Sequence, residues 1–293
     1  MMKILTLNTH SLQEENYPCK LEWFLETVLR ERPDLIAMQE VNQLISAPLL
    51  EETQLKGMVP VPGNDIPVRR GNHAAEAARR LHDAGVPCSW TWLPIKVGYG
   101  KYDEGVALFS LNGAMAEVDA FRISRCSDYQ YWKTRKVLGV RVGESKDWFY
   151  TVHMGWWSDE EEPFPTQWKT LDSTLSRKHA GVPVWLLGDF NSPAEVRGEG
   201  YDCIRASGWF DTYLLAAEKD GGVTVEGAID GWRDKLEDPA SGTGMRIDQI
   251  WCSQAAPVLR SNVIFNGENG PLVSDHFGVM VETRETAKGE DAQ

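Results

Sequence analysis

The polar residues with the most chemistry to offer stand where apolar runs stop. Asn8 closes KILTLN (3–8), and Glu40 stands at the exit of DLIAMQEV (34–41). His153 lies at the end of WFYTVHM (148–154), and Asp189 and Asn191 close the run VPVWLLGDFN (182–191). Asp248 lies inside RIDQIWC (246–252), and Asp275–His276 come just before GVMVET (278–283). Carboxylates, amides and imidazoles of this kind hold hard cations and move protons. An oxygen-only pair, Glu40 with Asn8, suits Mg²⁺ or Mn²⁺, whereas zinc would draw on more His or Cys. Each residue also has an ordinary role open to it. Asn8 could cap a helix or turn, Asp189–Asn191 could form an Asx turn, and Asp248 could be a buried charge paired with Arg246. Strand ends opening on one edge of a sheet are where α/β folds collect their sites, so the joint pattern weighs more than any member.

The elements that must position these residues follow from periodicity. Residues 19–32 place Leu21, Phe24, Leu25, Val28 and Leu29 at helical spacing, and Pro33 ends that helix. Helices are also expected over 73–85 and over 167–181, the latter closed by Gly181. Short strand-like runs lie at 105–110, 136–142, 148–154, 182–190, 246–252 and 278–283. The strand–helix–strand opening suggests an α/β architecture. Residues 43–103 are harder to read, and the aromatic segment SWTWLP (89–94) is taken as loop, as are Trp132 and Trp232. With no internal repeat and no low-complexity linker, one domain over 1–284 is expected, followed by a polar tail at 285–293.

Composition narrows the partners. The 293 residues carry 30 Lys plus Arg against 43 Asp plus Glu, a net charge of -13. Such a surface repels polyanions at long range, which disfavours nucleic acid and anionic membranes. The five cysteines are scattered and contain no C-x-x-C pair, which suggests neither a disulfide framework nor a thiolate zinc site. No apolar run approaches the roughly 18 residues of a membrane span, and the first strand is too short for a signal segment. A reduced, cytoplasmic protein is the expectation.

The ordered set Leu7-Asn8, Gln39-Glu40-Val41, Gly188-Asp189-Phe190-Asn191, Arg246-Ile247-Asp248 and Ser274-Asp275-His276 resembles the motif series of the endonuclease/exonuclease/phosphatase superfamily. The motifs come in that family's order and span essentially the whole chain. The resemblance implies a DNase-like α/β fold, a two-sheet β-sandwich flanked by helices, and Mg²⁺-dependent hydrolysis of phosphate esters, with Mn²⁺ as the other candidate cofactor. It implies Glu40, Asn8 and Asp275 around the metal, and Asp189 orienting or deprotonating the attacking water. Asn191 and His153 would meet the phosphate, as would His276, held as imidazolium by its partner Asp248. Similarity to the pancreatic-type deoxyribonucleases adds Glu104 as the partner of His153 and Arg135 as a phosphate contact. Their ordinary readings are a surface charge and a solvated arginine beside a strand. One departure matters: many nucleases of the family carry an acidic residue two positions after the first Asn, and here His10 stands there. That removes a second acidic metal ligand from this loop and makes His10 a candidate substrate contact.

The superfamily handles many phosphates, and the loops bear on which. The His153 strand runs into MGWWSDEEEPFPTQW (154–168), rich in tryptophan and acid where a nuclease would want basic contacts to a phosphate backbone. Flat aromatic faces with carboxylates alongside suit sugar rings and hydroxyls, and Trp156, Trp157 and Trp232 are the candidate wall. The phrases LNTHS, KYDEG, VHMGWW, GDFNSPAE and RGEGYD are similar to those of bacterial maltose 6'-phosphate phosphatases. The expectation is a phosphomonoesterase acting on a phosphorylated sugar, such as a disaccharide 6'-phosphate. The rival is a phosphodiesterase of the same superfamily. A nuclease calls for basic loops and a lipase for exposed apolar hairpins, and neither is visible. A catalytically dead binding module would lack one of Glu40, Asp189, Asn191 or His276, and all are present.

Overall fold

The structure is a computed structural model that describes residues 1–226 and 244–284. The polar tail expected at 285–293 and the segment carrying Trp232 lie outside the described residues. Two strand–helix–strand units organise the chain. Strand β1 (Met2–Asn8) passes through helix α1 (Tyr17–Glu31) into β2 (Leu35–Leu44), and the two strands pair in parallel with Asn8 opposite Gln39. Strand β7 (Trp148–His153), helix α3 (Phe164–Lys178) and β8 (Val184–Asp189) repeat the arrangement, with His153 opposite Asp189. Helix α1 buries Leu21, Phe24, Leu25 and Val28, the stripe that the spacing predicts, and Arg32 caps it in the left-handed region just before Pro33.

Each parallel pair is the centre of a sheet. The first runs β10 (Glu218–Lys219), β12 (Val258–Ile264), β13 (Gly278–Thr283), β1, β2, β4 (Tyr102–Ser110), β3 (Ser89–Gly98). The second runs β5 (Met115–Arg122), β6 (Lys136–Val142), β7, β8, β11 (Asp248–Cys252), β9 (Phe210–Asp211). Period-two alternation divides the side chains into three layers. Ile4, Leu35, Ala37, Leu108, Leu138, Phe149, Leu187, Ile250 and Val281 fill the space between the sheets. Leu5, Leu7, Ile36, Met38, Trp90 and Phe109 face α1 and α2 (His73–Asp83). Tyr150, Val152, Leu186 and Trp251 face α3 and α4 (Gly200–Ala206) on the far side. The result is the helix-flanked two-sheet sandwich of the DNase-like fold.

Three strands depart from the sequence reading. The segment expected as an aromatic loop is β3, whose Trp90 and Trp92 are buried against the helices. Its Pro94 is tolerated because β3 is an edge strand. β5, also an edge, is almost wholly exposed or half-buried, and β12 exposes Arg260 but buries Ser261 beside it, so neither shows a clean alternation. No helix of the described residues is long and apolar enough to cross a membrane.

Candidate active site

Both parallel pairs deliver their C-terminal ends to the same edge of the sandwich. Asn8, Glu40, His153 and Asp189 are thereby gathered, and Asp248, the first residue of β11, pairs directly across from Asp189. Glu40 sits in a bulge where the β2/β4 register shifts between Met38 and Val41, with φ at 53°. Asn191, two residues past the end of β8, also has a positive φ, 47°. Such local strain persists where surrounding structure fixes it, and it re-aims a side chain out of the sheet. Beneath them Gln39 Nε2 donates to Thr6 Oγ1 (3.2 Å) and Thr151 Oγ1 (2.8 Å), tying the two sheets together. A Cβ at Gly188 would lie 2.0 Å from Val152 O and 3.0 Å from Gln39 Nε2, which explains the glycine ahead of Asp189.

Asp189 is the hub. Its Oδ1 accepts the backbone N–H of Asn191 (2.8 Å), and Oδ2 accepts Asn8 Nδ2 (3.2 Å). Asn8 Nδ2 also donates to Glu40 Oε1 (3.0 Å), linking the two halves of the site. Burial, and then the charge of Asp248, pushes Asp189 up to about 7, against His276 and the Asn191 N–H. His276 Nδ1 lies 2.9 Å from Asp248 Oδ2. Burial opposes charge there, but Asp248, Asp189 and Asp275 together push His276 up to about 10, so it is an imidazolium at neutral pH. Arg246, offered as an alternative partner for Asp248, pairs instead with Asp211 at 2.7 Å. His153 Nε2 stands 3.7 Å from Asp189 Oδ2, beyond a hydrogen bond. Burial, with Arg135, Lys96 and His276 nearby, holds it well below the usual imidazole range and therefore neutral. Asn191 Nδ2 donates to Met154 O at 3.0 Å, fixing the amide beside this cluster.

The other half is anionic. Burial and the charge of Glu104 raise the Glu40 pKa, with Asp275 adding to the push and His10 and Asn8 opposing it. A carboxylate so destabilised, with an amide beside it and no thiolate, has the donor chemistry of a hard divalent cation. His10 does not read as a free substrate contact. Its Nδ1 lies 2.8 Å from Glu14 Oε1 and 3.7 Å from Asp275 Oδ1. Glu14 also pairs with Lys20 and accepts the Asp275 backbone N–H at 3.1 Å. Burial opposes charge on His10, but Glu14, Asp275 and Glu40 push it up to about 9. Two positions after Asn8, this chain places a cation already engaged with carboxylates. Ser274 Oγ donates to Asn8 O at 2.7 Å, locking the Asp275–His276 segment onto β1.

Arg135 is buried, and its Nη1 donates to the carbonyls of Trp132 (3.1 Å) and Thr134 (3.2 Å). Its Nε has no hydrogen-bond partner among the described residues. It faces Glu104, Glu40, Asp189 and Asp159, whose charges offset part of its burial. Glu104 departs from the expectation: it salt-bridges Lys96 at 3.0 Å, while the nearest carboxylate to His153 is Asp189. Lys96 is the residue that sequence reasoning missed. Its only signal was a lone charge inside the apolar run WTWLPIKVG.

The aromatic wall is also rearranged. Trp156 packs with Trp132, ring centroids 5.8 Å apart, and rests on Val225, Ile247 and Met245. Trp157 instead turns onto Phe164 in the α3 core. Asp159, Glu161 and Glu162 are occupied. Asp159 and Glu161 clasp Lys133 at 2.7 and 2.6 Å, and buried Glu162 accepts the backbone N–H groups of Arg125 (2.8 Å) and Cys126 (2.7 Å). They fasten the loop that carries Trp132 and Arg135.

Residues 5–276 match the model of the Endonuclease/Exonuclease/phosphatase family. Among solved structures, an endonuclease/exonuclease/phosphatase family protein from Leptotrichia buccalis C-1013-b is 31% identical, with a TM-score of 0.82 over 97% of this chain and 100% of that one. A mannosyl-6-phosphatase of Bacteroides thetaiotaomicron VPI-5482 shares the fold at 16% identity and a TM-score of 0.64, over 97% of this chain and 100% of that one. So does a 3' phosphatase from Neisseria bound to a product DNA hairpin, at 18% identity and a TM-score of 0.59 over the same shares. No curated protein matches.

Proposed function

The chain belongs to the endonuclease/exonuclease/phosphatase family, and from that premise we propose that it is a metal-dependent phosphomonoesterase acting on a phosphorylated sugar, with a disaccharide 6'-phosphate as the leading substrate. The observation that carries this reading is Arg135, a buried guanidinium whose Nε is unpartnered among the described residues, near Asp189 and held by the carbonyl of Trp132. A buried cation of this kind favours an anion beside it. Arg135, Asn191 and the His276 imidazolium would hold the phosphoryl oxygens, each fixed by its own partners before substrate arrives. Asp189, with its pKa near neutrality, would take the proton of the attacking water. Water adds to phosphorus as the bond from phosphorus to the sugar oxygen breaks, and the proton taken up by Asp189 is returned, through solvent, to that oxygen, so inorganic phosphate and the sugar alcohol leave and Asp189 is again free to accept a proton. Glu40 and Asn8, with Asp275 alongside, would hold Mg²⁺ or Mn²⁺, and the bound ion would neutralise charge on the phosphoryl oxygens.

The sugar belongs against Trp132 and Trp156. Trp132 is 50% exposed, and its carbonyl is one of the two that hold Arg135, so the aromatic face begins where the phosphate position ends. The structural likeness to a mannosyl-6-phosphatase is consistent with this reading. The test is phosphate release with Mg²⁺ from maltose 6'-phosphate, trehalose 6-phosphate, glucose 6-phosphate and p-nitrophenyl phosphate. A clear preference for a disaccharide supports the proposal. Equal turnover of all four refutes the sugar assignment, and no phosphate from any refutes the monoesterase.

A further inference from the structure

Glu40 is held from behind by a turn that has no part in the scheme above. β1 ends at Asn8, opposite Gln39, and the β2/β4 register breaks between Met38 and Val41, so the Glu40 main chain has no residue paired with it in either neighbouring strand. Buried backbone groups left out of a ladder need other partners. The turn after β1 supplies them. Ser11 Oγ donates to Glu40 O at 2.8 Å and accepts the Asn42 N–H at 3.2 Å, so one hydroxyl brackets the bulge. Thr9 does the same one residue earlier, its N–H and Oγ1 both donating to Gln39 O, at 3.0 and 2.8 Å. The turn also orients Asn8: the His10 N–H donates to Asn8 Oδ1 at 3.2 Å, which leaves Nδ2 for Glu40 and Asp189. Ser11 is buried, and His10 and Ser11 stand in succession at φ 45° and 38°. Two such residues in a row are unfavourable and persist where surrounding contacts over-determine them. A turn that merely ends β1 is the ordinary reading. It does not explain why the Ser11 hydroxyl enters the ladder of β2 at the residue that leaves it.

We propose that Ser11 is a positioning residue for the divalent cation: its hydroxyl stands in for the missing strand at the bulge and fixes the direction in which the Glu40 carboxylate leaves β2. The inference rests on the reading of Glu40 as a metal ligand and deepens it by naming what orients that ligand before the ion arrives. Ser11 acts through Glu40, not on the ion. Without the hydroxyl, Glu40 O and the Asn42 N–H lose their shared partner, the bulge relaxes, and a carboxylate held less firmly binds the ion less well.

The test is the binding of Mn²⁺ alone, without substrate, read from the free-ion signal in electron paramagnetic resonance. Ser11→Ala removes the hydroxyl and keeps the Cβ, and it should weaken Mn²⁺ binding about tenfold, the low end for a group that orients a metal ligand. Ser11→Gly removes the same hydroxyl while easing the backbone at φ 38°. It should lose the same factor, with a melting temperature no lower than that of Ser11→Ala. Thr212→Val removes another buried hydroxyl bonded to a strand carbonyl, Ile250 O at 2.7 Å in the other sheet, and should leave the affinity unchanged. Wild-type affinity in both Ser11 variants overturns the proposal. So does recovery in Ser11→Gly alone, which assigns the effect to backbone strain, and so does an equal loss in Thr212→Val, which makes it a general loosening. The metal reading fails separately, if Glu40→Gln and the wild-type protein bind Mn²⁺ alike.

Discussion

Glu162→Gln discriminates most sharply between two roles for the acidic segment 159–162. In the structure Glu162 is buried, and its two oxygens accept the backbone N–H groups of Arg125 and Cys126 at 2.8 and 2.7 Å. Glutamine keeps one acceptor, but its NH₂ must face the other N–H, which loses one charge-assisted bond and leaves a buried donor unsatisfied. That should destabilise by about 2–3 kcal/mol. For a chain of this size the melting temperature should then fall by roughly 4–10 °C in a thermal denaturation followed by circular dichroism. Glu161→Gln is the internal control. Its side chain is 63% exposed and meets Lys133 and Tyr131 at the surface, so its melting temperature should scarcely move. If the carboxylates instead read sugar hydroxyls, Glu162→Gln would raise KM for a saccharide phosphate and leave the melting temperature unchanged. That result would refute the clamp.

Four further outcomes follow from the same geometry. Burial lowers His73 from 6.5 to about 4. The unfolded chain therefore binds more protons between those values, and stability present above pH 6.5 is lost as pH falls, by up to about 3 kcal/mol. Urea denaturation at pH 7 and pH 5 should show this loss in the wild type and a clearly smaller one in His73→Gln; identical slopes would remove His73 as the cause. Asp189→Ala and His276→Ala should each cut kcat at least about a hundredfold with the fold intact by circular dichroism, and near-normal turnover in either would sink its role. Glu40→Gln should move the Mg²⁺ titration of activity to higher concentration, whereas an unmoved curve takes Glu40 out of the metal shell. Trp132→Ala should raise KM for a disaccharide phosphate more than for p-nitrophenyl phosphate, while Trp157→Ala should act on stability; parallel KM effects from both would dissolve the proposed sugar face.

The central strands were legible because each is an apolar run that ends in a functional polar residue. Asn8, Glu40, His153 and Asp189 fall on one edge by their sequence positions alone, since parallel strands joined by helices deliver their C-terminal ends together. Edge strands were harder. The β5 residues from Ala116 to Arg122 are exposed or half-buried, so no clean alternation marks them. The Trp-rich β3 hid behind Pro94, which an interior strand would reject but an edge admits. Partner choice was the least readable. That Glu104 faces Lys96 and Glu162 faces backbone N–H groups depends on loops brought together from far along the chain. Spacing and composition do not encode such meetings, which is why the acids of 159–162 read as a ligand surface.

Monoester chemistry at the Asp189–His276 cluster decides what the protein does. The most direct measurement compares kcat/KM for maltose 6'-phosphate with that for bis-p-nitrophenyl phosphate and with plasmid nicking, all with Mg²⁺ and with Asp189→Ala alongside. The prediction is efficient monoester hydrolysis, little diester or plasmid cleavage, and loss of the monoester activity in the variant. Diester or plasmid cleavage exceeding monoester turnover, lost in the same variant, would contradict it and make the protein a phosphodiesterase.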